Sequence, residues 1–297
     1  MRQSLRSRGP NDENTLLFHH AGLAHTRLAI RDILGGKQPM SAQYRGRGAS
    51  IVYNGEIYNT CELREELKPF GMSWSTTGDT EVILNGFLAM GTSFFEKLNG
   101  IFAFAIYVHQ TKELYLVRDS LGVKPLFYSF DHTAVVFGSE PKALFAYGIH
   151  PAADRACWNE IFSLGPARTL GNGGFAGIHE LLPGEYMHIS ASGCRHHFFR
   201  KLEAVPHHDS YTDTIRHVRF LLCDSIHRQM VSDIPICSFL SGGLDSSLVT
   251  AICQMYLKKE DAALDTFSFD FKGNDVDLRA FILIESSRPT FLRPPVQ

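Results

Sequence analysis

The chain has 297 residues, of which 44% are hydrophobic and 20% charged, and a formal net charge of −2. That length accommodates two domains with a substantial core, and the near-neutral balance points to neither nucleic acid nor an acidic membrane surface as a partner. No uninterrupted apolar stretch approaches the ~18 residues of a membrane span, and the basic start Met1-Arg2-Gln3-Ser4-Leu5-Arg6 lacks the apolar run of a signal peptide.

From about residue 15 to 140 the pattern is one of short strands with two helices between them. Leu23 to Ile30 and Ala49 to Asn54 read as strands. Asn59 or Thr60 can cap a helix whose apolar face is Leu63, Leu67 and Phe70. Asp79 is placed to cap a second helix carrying Ile83, Phe87 and Met90, with Gly91 ending it. After an Asn99-Gly100 turn, Ile101 to Tyr107 is a continuous apolar run suited to a strand buried on both faces. Glu113 to Arg118, Leu126 to Phe130 and Ala134 to Phe137 follow at hairpin intervals. An α+β domain built on antiparallel sheets is predicted. Ser, Gly, paired His and a Pro mark 191–210 as a linker.

Beyond the linker, Ser210 to Gln229 reads as a helix with Ile215, Val218, Leu222 and Ile226 on one face. A short apolar run, Ile236 to Leu240, precedes a helix-like segment from Leu248 to Met255. A strand from Leu264 to Phe271 then alternates Phe267, Phe269 and Phe271. This β-α-β order opens a parallel α/β domain. The tail, 276–297, has no periodicity.

Six cysteines, at 61, 157, 194, 223, 237 and 253, are scattered as reduced thiols of a cytoplasmic protein would be. The His-His pairs at 19–20, 196–197 and 207–208 have no Cys or carboxylate partner at ligand spacing. They read as surface or turn residues, and no metal site is expected from them.

Ser241-Gly242-Gly243-Leu244-Asp245-Ser246-Ser247 joins the apolar run to the helix. A strand that ends in small residues at a helix start leaves backbone N–H groups unpaired, where the helix dipole also favours negative charge. Glycines permit a tight turn and close approach to a ligand, so the expected guest is a phosphate or pyrophosphate. No Lys-Ser or Lys-Thr pair closes the loop, which excludes the Walker type.

Four pieces of the first domain also group together: Ala24 to Ile30, Asn54 to Asn59, Thr77 to Glu81 and Arg118 to Leu126. Singly, Asn54-Gly55 is a hairpin turn, Asp79 a helix cap and Arg27 a surface charge. In this order and spacing they resemble the glutaminase domain of class II, N-terminal-nucleophile amidotransferases, which release ammonia from glutamine. Gly35-Gly36-Lys37-Gln38-Pro39-Met40 and Gly138 to Leu144 extend the resemblance, and with Ser241 to Ser247 it reaches from about residue 8 to 275. The combination is similar to glutamine-hydrolysing asparagine synthetase.

The resemblance implies an α+β glutaminase domain over 1–190, with antiparallel sheets sandwiched by helices. A 191–210 linker and the first part of an α/β adenine-nucleotide-binding domain over 211–275 follow, with 276–297 unmatched. It assigns glutamine binding to Arg27, Asn54, Gly55, Glu56 and Asp79. Arg27 would grip the carboxylate bidentately, Asp79 the ammonium, and Asn54 and Gly55 would form the oxyanion hole. It places Phe239 and Leu240 against adenosine and Ser241, Gly242, Gly243, Leu244, Asp245, Ser246 and Ser247 around the pyrophosphate, with magnesium. Glutamine, aspartate and ATP are the implied substrates, AMP and pyrophosphate the released products, and a homodimer the implied assembly.

Two departures qualify that expectation. The family's nucleophile is a cysteine exposed as the first residue, whereas this chain begins Met1-Arg2 and its earliest cysteine, Cys61, falls inside a predicted helix. The synthetase pattern stops after Gly273-Asn274-Asp275. The expectation is therefore a chain truncated at both ends that neither hydrolyses glutamine nor makes asparagine. A non-catalytic glutamine-binding or interaction module, and a β-lactam-synthetase-like enzyme, stand as alternatives.

Overall fold

The computed structural model describes residues 1–131, 134–165 and 167–268, and the chain divides into two compact units, Met1–Val205 and Pro206–Gln297. In the first unit a 3-10 turn, Arg2–Arg8, leads into the hairpin β1 (Asp12–Leu17) and β2 (Gly22–Arg27). Then come β3 (Met40–Tyr44), β4 (Arg47–Ile57), α1 (Thr60–Leu67), α2 (Asp79–Met90), β5 (Gly100–Val108) and β6 (Glu113–Arg118). The unit closes with β7 (Phe127–Asp131), β8 (Ala134–Gly138), α3 (Pro141–Phe145), α4 (Arg155–Leu164), β9 (His179–Glu180), β10 (Glu185–Ser190) and β11 (Gly193–Phe198).

A six-stranded sheet runs β11-β10-β6-β5-β4-β3, and every neighbouring pair in it is antiparallel. The order β8-β7-β9 makes a second, three-stranded sheet, also antiparallel. β5 shows why its sequence is apolar throughout. Phe102, Phe104, Ile106 and Val108 enter a core shared with Leu63 and Leu67 of α1 and Val82, Ile83 and Phe87 of α2. The alternate residues Ala103, Ala105 and Tyr107 enter a core on the opposite face with Leu23, Leu126, Tyr128 and Met187. Both faces are buried, so period-2 alternation has no polar side to display.

Several local expectations change. Asn54-Gly55 is not a hairpin turn: β4 runs on to Ile57, and the two residues pair with Ala103 and Phe102 of β5. Asp79 is the first residue of α2 rather than its cap, a position held by Gly78. Asn59 occupies the cap position of α1 but spends its side chain elsewhere, donating to the Lys97 carbonyl (2.9 Å) and accepting from the Asn99 N–H (3.0 Å). The stretch read as a linker, 191–210, contains β11, whose backbone pairs with β10 from Glu185–Phe198 to Ser190–Gly193.

The second unit has α5 (Tyr211–Gln229), β12 (Cys237–Phe239), α6 (Leu244–Leu257) and β13 (Asp265–Phe267). β12 and β13 pair in parallel across α6, the expected β-α-β unit. α6 begins four residues earlier than its apolar pattern suggested, because Leu244 to Ser247 belong to its first turn. Phe269 and Phe271 of the expected last strand, and the tail 276–297, lie outside the described residues.

Candidate functional site

One cavity of about 650 Å³ in the first unit is lined by all five residues expected to bind glutamine: Arg27, Asn54, Gly55, Glu56 and Asp79. β2, β4, β8 and the start of α2 form its walls. β2 and β8 each have a partner strand on one side only among the described strands.

Asn54 and Gly55 owe their positions to the β4–β5 ladder. A Cβ at Gly55 would run into the Ile101 carbonyl oxygen, and its φ of +154° disfavours any other residue. Beside it the Asn54 Nδ2 is buried and has no hydrogen-bond partner, alone in this among the described side chains. Leaving a buried donor unmet costs roughly 1–3 kcal/mol, which marks Asn54 as a candidate functional group of this wall.

Asp79 sits at the N-terminus of α2 and accepts, at Oδ2, from the Tyr53 hydroxyl (2.8 Å) and the Ile57 N–H (3.0 Å). Burial, and then the Asp79 charge, push the Tyr53 phenol well above its ordinary value, so it remains a donor. Glu56 on the same strand is also raised, first by burial and then by Asp79, while Arg31 and Lys124 oppose the rise. The Glu56 charge is thus incompletely compensated in this cavity, and a ligand cation would complete it.

Arg27 lines the cavity from the end of β2. Its guanidinium is 7% exposed and donates from Nη1 to the Ile33 carbonyl (2.9 Å) and from Nη2 to those of Arg31 (3.0 Å) and Asp32 (2.7 Å). Arg27 thereby shapes the loop after β2, which Asp32 ties down by accepting from the N–H groups of Gly35 and Gly78, both at 3.0 Å.

The remaining motif residues brace the walls. The Gln38 side chain accepts from the Tyr53 N–H (2.6 Å) and reaches Thr80 Oγ1 (3.4 Å), linking β4 to α2. Asp119 accepts from the N–H groups of Phe102, Leu121, Val123 and Lys124. Arg118 pairs with buried Glu180 at 2.9 Å. Sequence reasoning missed Arg31, Tyr53 and Lys124 as cavity residues. The only available signal was their adjacency to the Arg27, Asn54 and Arg118 motifs.

In the second unit, Leu240 to Gly243 form the loop and Gly242 takes a φ of +83°. Ser246 Oγ receives the Ser241 N–H (3.3 Å), lies 3.0 Å from Ser241 Oγ and donates to the Gly243 carbonyl (3.2 Å). Ser247 Oγ also donates to that carbonyl, at 2.6 Å. α6 starts from Gly243 without a side-chain cap, so its first N–H groups have no intrahelical partner. This donor set, backbone N–H with hydroxyl, suits phosphate oxygens.

The fold and cavity are those of a class II glutaminase domain followed by an α/β nucleotide-binding segment. Residues 1–200 match the glutamine amidotransferase domain family, and residues 217–280 match the asparagine synthase family. The chain belongs to the glutamine amidotransferase domain family, and the match to the asparagine synthase family follows it in chain order. It is 45% identical over 277 residues to asparagine synthetase [glutamine-hydrolyzing] 3 of Bacillus subtilis (strain 168), covering 93% of this chain and 45% of that protein. To asparagine synthetase [glutamine-hydrolyzing] 1 of the same organism it is 33% identical, over 92% of this chain and 42% of that protein. The chain thus spans less than half the length of either relative. Among solved structures, glutamine phosphoribosylpyrophosphate amidotransferase from B. subtilis aligns with a TM-score of 0.46 and 18% identity, over 83% of this chain and 51% of that one. No helix among the described residues is long and apolar enough to cross a membrane.

Proposed function

We propose that the first unit binds L-glutamine in its cavity as the glutaminase half of a glutamine-dependent asparagine synthetase. The side-chain amide oxygen lies at Asn54 Nδ2 and the Gly55 N–H, and the ammonium lies at Asp79 beside Glu56. The observation that carries this reading is the buried, unpartnered Asn54 Nδ2. A fixed donor that strengthens its bond as an amide carbonyl becomes an oxyanion lowers the barrier rather than only binding the ground state.

Hydrolysis needs a thiolate to attack the amide carbon, expel ammonia and form a thioester that water then cleaves to glutamate. None of the six cysteines lines the cavity. Residues 1–297 by themselves hold glutamine without turning it over.

For the second unit we propose ATP as the ligand of Phe239 to Ser247, the N–H and hydroxyl donors of the loop holding its phosphates. Magnesium bound with the ATP would supply counter-charge to the phosphates near Asp245. Aspartate is the acceptor that the synthetase relatives' names imply.

Calorimetric titration of the 1–297 protein with L-glutamine tests the first-unit reading. One saturable site, with no glutamate formed, is expected. Absence of saturable heat contradicts glutamine binding, and glutamate release contradicts the need for a further nucleophile.

A further inference from the structure

We propose that Cys194 is an oxidation-sensitive thiol that attacks small uncharged peroxides, with His196 as its base and Glu185 holding the imidazole. The site is separate from the glutamine cavity, which none of Cys194, His196, Glu185 and Tyr128 lines, and it stands apart from the glutamine reading.

The β10–β11 hairpin assembles the group. Alternate residues of a strand share a face, so Cys194 and His196 lie on one face of β11, and the register sets them opposite Ile189 and Met187. Glu185 is on that same face of β10, two residues before Met187. Met187 is fully buried, and Cys194 packs against the same core from a half-buried position at its rim. A thiol at an apolar rim admits a small uncharged oxidant more readily than a bulky charged disulfide.

Donor and acceptor roles follow from the partners. Glu185 is buried with both oxygens engaged: Oε2 accepts from the Leu182 N–H (2.8 Å), and Oε1 lies 2.7 Å from His196 Nδ1. A carboxylate only accepts, so Nδ1 carries the imidazole proton and Nε2 presents its lone pair. That nitrogen is 3.9 Å from Cys194 Sγ. Nucleophile, base and orienting carboxylate follow one another in hydrogen-bonded order, the arrangement that activates a thiol or hydroxyl. Tyr128 adds a donor, its ring 6.2 Å from that of His196 and its phenol pushed up to about 12 by burial and then by Glu185. Burial, and then Glu185, also raise the Cys194 thiol. The resting sulfur therefore keeps its proton and gives it up to the base only as it reacts, and the more basic thiolate is the stronger nucleophile. In the step, Sγ attacks one peroxide oxygen, the S–H and O–O bonds break and an S–O bond forms. The thiol proton passes to Nε2 and on to the leaving hydroxide, which departs as water. Sulfur is oxidised to a sulfenic acid as the peroxide is reduced.

Timed exposure of the 1–297 protein to hydrogen peroxide with a sulfenic-acid trap, read by peptide mass spectrometry, follows all six cysteines in one sample. Cys194 is expected to react about 10-fold or more faster than Cys61 and Cys237, although both are more exposed. His196→Ala is expected to slow Cys194 by about 10-fold or more while Cys61 keeps its rate, and added imidazole to restore part of the loss. Glu185→Gln is expected to move His196 towards the Nε2–H tautomer, read from its ring nitrogen resonances, and to slow Cys194 to a rate between those two. A parent Cys194 no faster than Cys61, or a rate unchanged in His196→Ala, overturns the proposal. An unmoved tautomer in Glu185→Gln overturns the part assigned to Glu185.

Discussion

The cavity of the first unit and the Ser241–Ser247 loop of the second both offer donors to a small polar ligand, but they hold them differently. In the cavity the donors ride on β4, a strand buried through Ile51, Val52, Tyr53 and Ile57, and Asn54 Nδ2 has nothing to turn towards. In the loop the hydroxyls of Ser241, Ser246 and Ser247 satisfy one another and the Gly243 carbonyl, and neighbouring Leu244 is 91% exposed. Donors fixed in a packed wall cost nothing to organise when the ligand arrives, whereas donors that bond each other must first let go. The comparison teaches that the first unit carries a preformed site and the second a deformable one.

Glycine substitutions break the comparison most severely. Gly55→Ala would press a methyl group into the Ile101 carbonyl and the Phe102 backbone. A loss of about 1–3 kcal/mol is expected, as for other overpacked sites, and urea unfolding of the first unit measures it. Gly243→Ala meets only the Ser241 hydroxyl at 3.6 Å, so a change within about 0.5 kcal/mol is expected there. Equal costs at the two positions would erase the distinction between fixed wall and open loop.

Charge removal comes next. Asp79→Asn retains an acceptor for Tyr53 and Ile57 but not the charge, and glutamine affinity is expected to fall about 10-fold or more. Titration calorimetry reads that directly. Affinity equal to that of the parent would remove Asp79 as the ammonium partner.

Asn54→Ala and Ser246→Ala sharpen the contrast in stability. Removing an unpaired buried donor is expected to leave the melting temperature of the first unit unchanged or higher, while glutamine binding weakens. Removing the Ser246 hydroxyl deletes bonds that are made, and a loss of about 0.5–1.5 kcal/mol is expected in the second unit. Destabilisation by Asn54→Ala as large as that of Ser246→Ala would mean that Nδ2 is bonded in solution.

The smallest effect concerns pH. The folded-state pKa of Glu56 is raised, by burial and by Asp79, so the folded protein holds this proton more tightly than the unfolded chain. Its contribution to stability is complete below the ordinary glutamate pKa and is lost as pH rises through the higher folded value. Glu56→Gln is therefore expected to match the parent in acid and to gain on it above that window, in melting curves recorded across pH. Parallel curves at every pH would contradict a raised Glu56.

Much of this was legible in the chain. The continuous apolar run of β5 announced a strand buried on both faces, and it was the resemblance to class II glutaminases that implied a shared cavity for Arg27, Asn54, Glu56 and Asp79. Hydrogen-bond commitments were not legible. An arginine at the end of a strand reads as a free cation, and only the structure shows that three loop carbonyls accept from Arg27. Asn54-Gly55 has the composition of a turn, and the long pairing of β4 with β5 overrides that local preference. β11 was missed because its Gly, Arg and paired His match no strand propensity, and it forms as an edge to β10.

Side-chain amide resonances of Asn54, followed by nuclear magnetic resonance during a glutamine titration of the 1–297 protein, address the central claim directly. Saturable movement of the Asn54 Nδ2 protons, to the downfield side expected of a newly formed hydrogen bond, is the predicted result. Asn54 resonances that stay still while glutamine binds would contradict the assignment of this donor to the substrate amide.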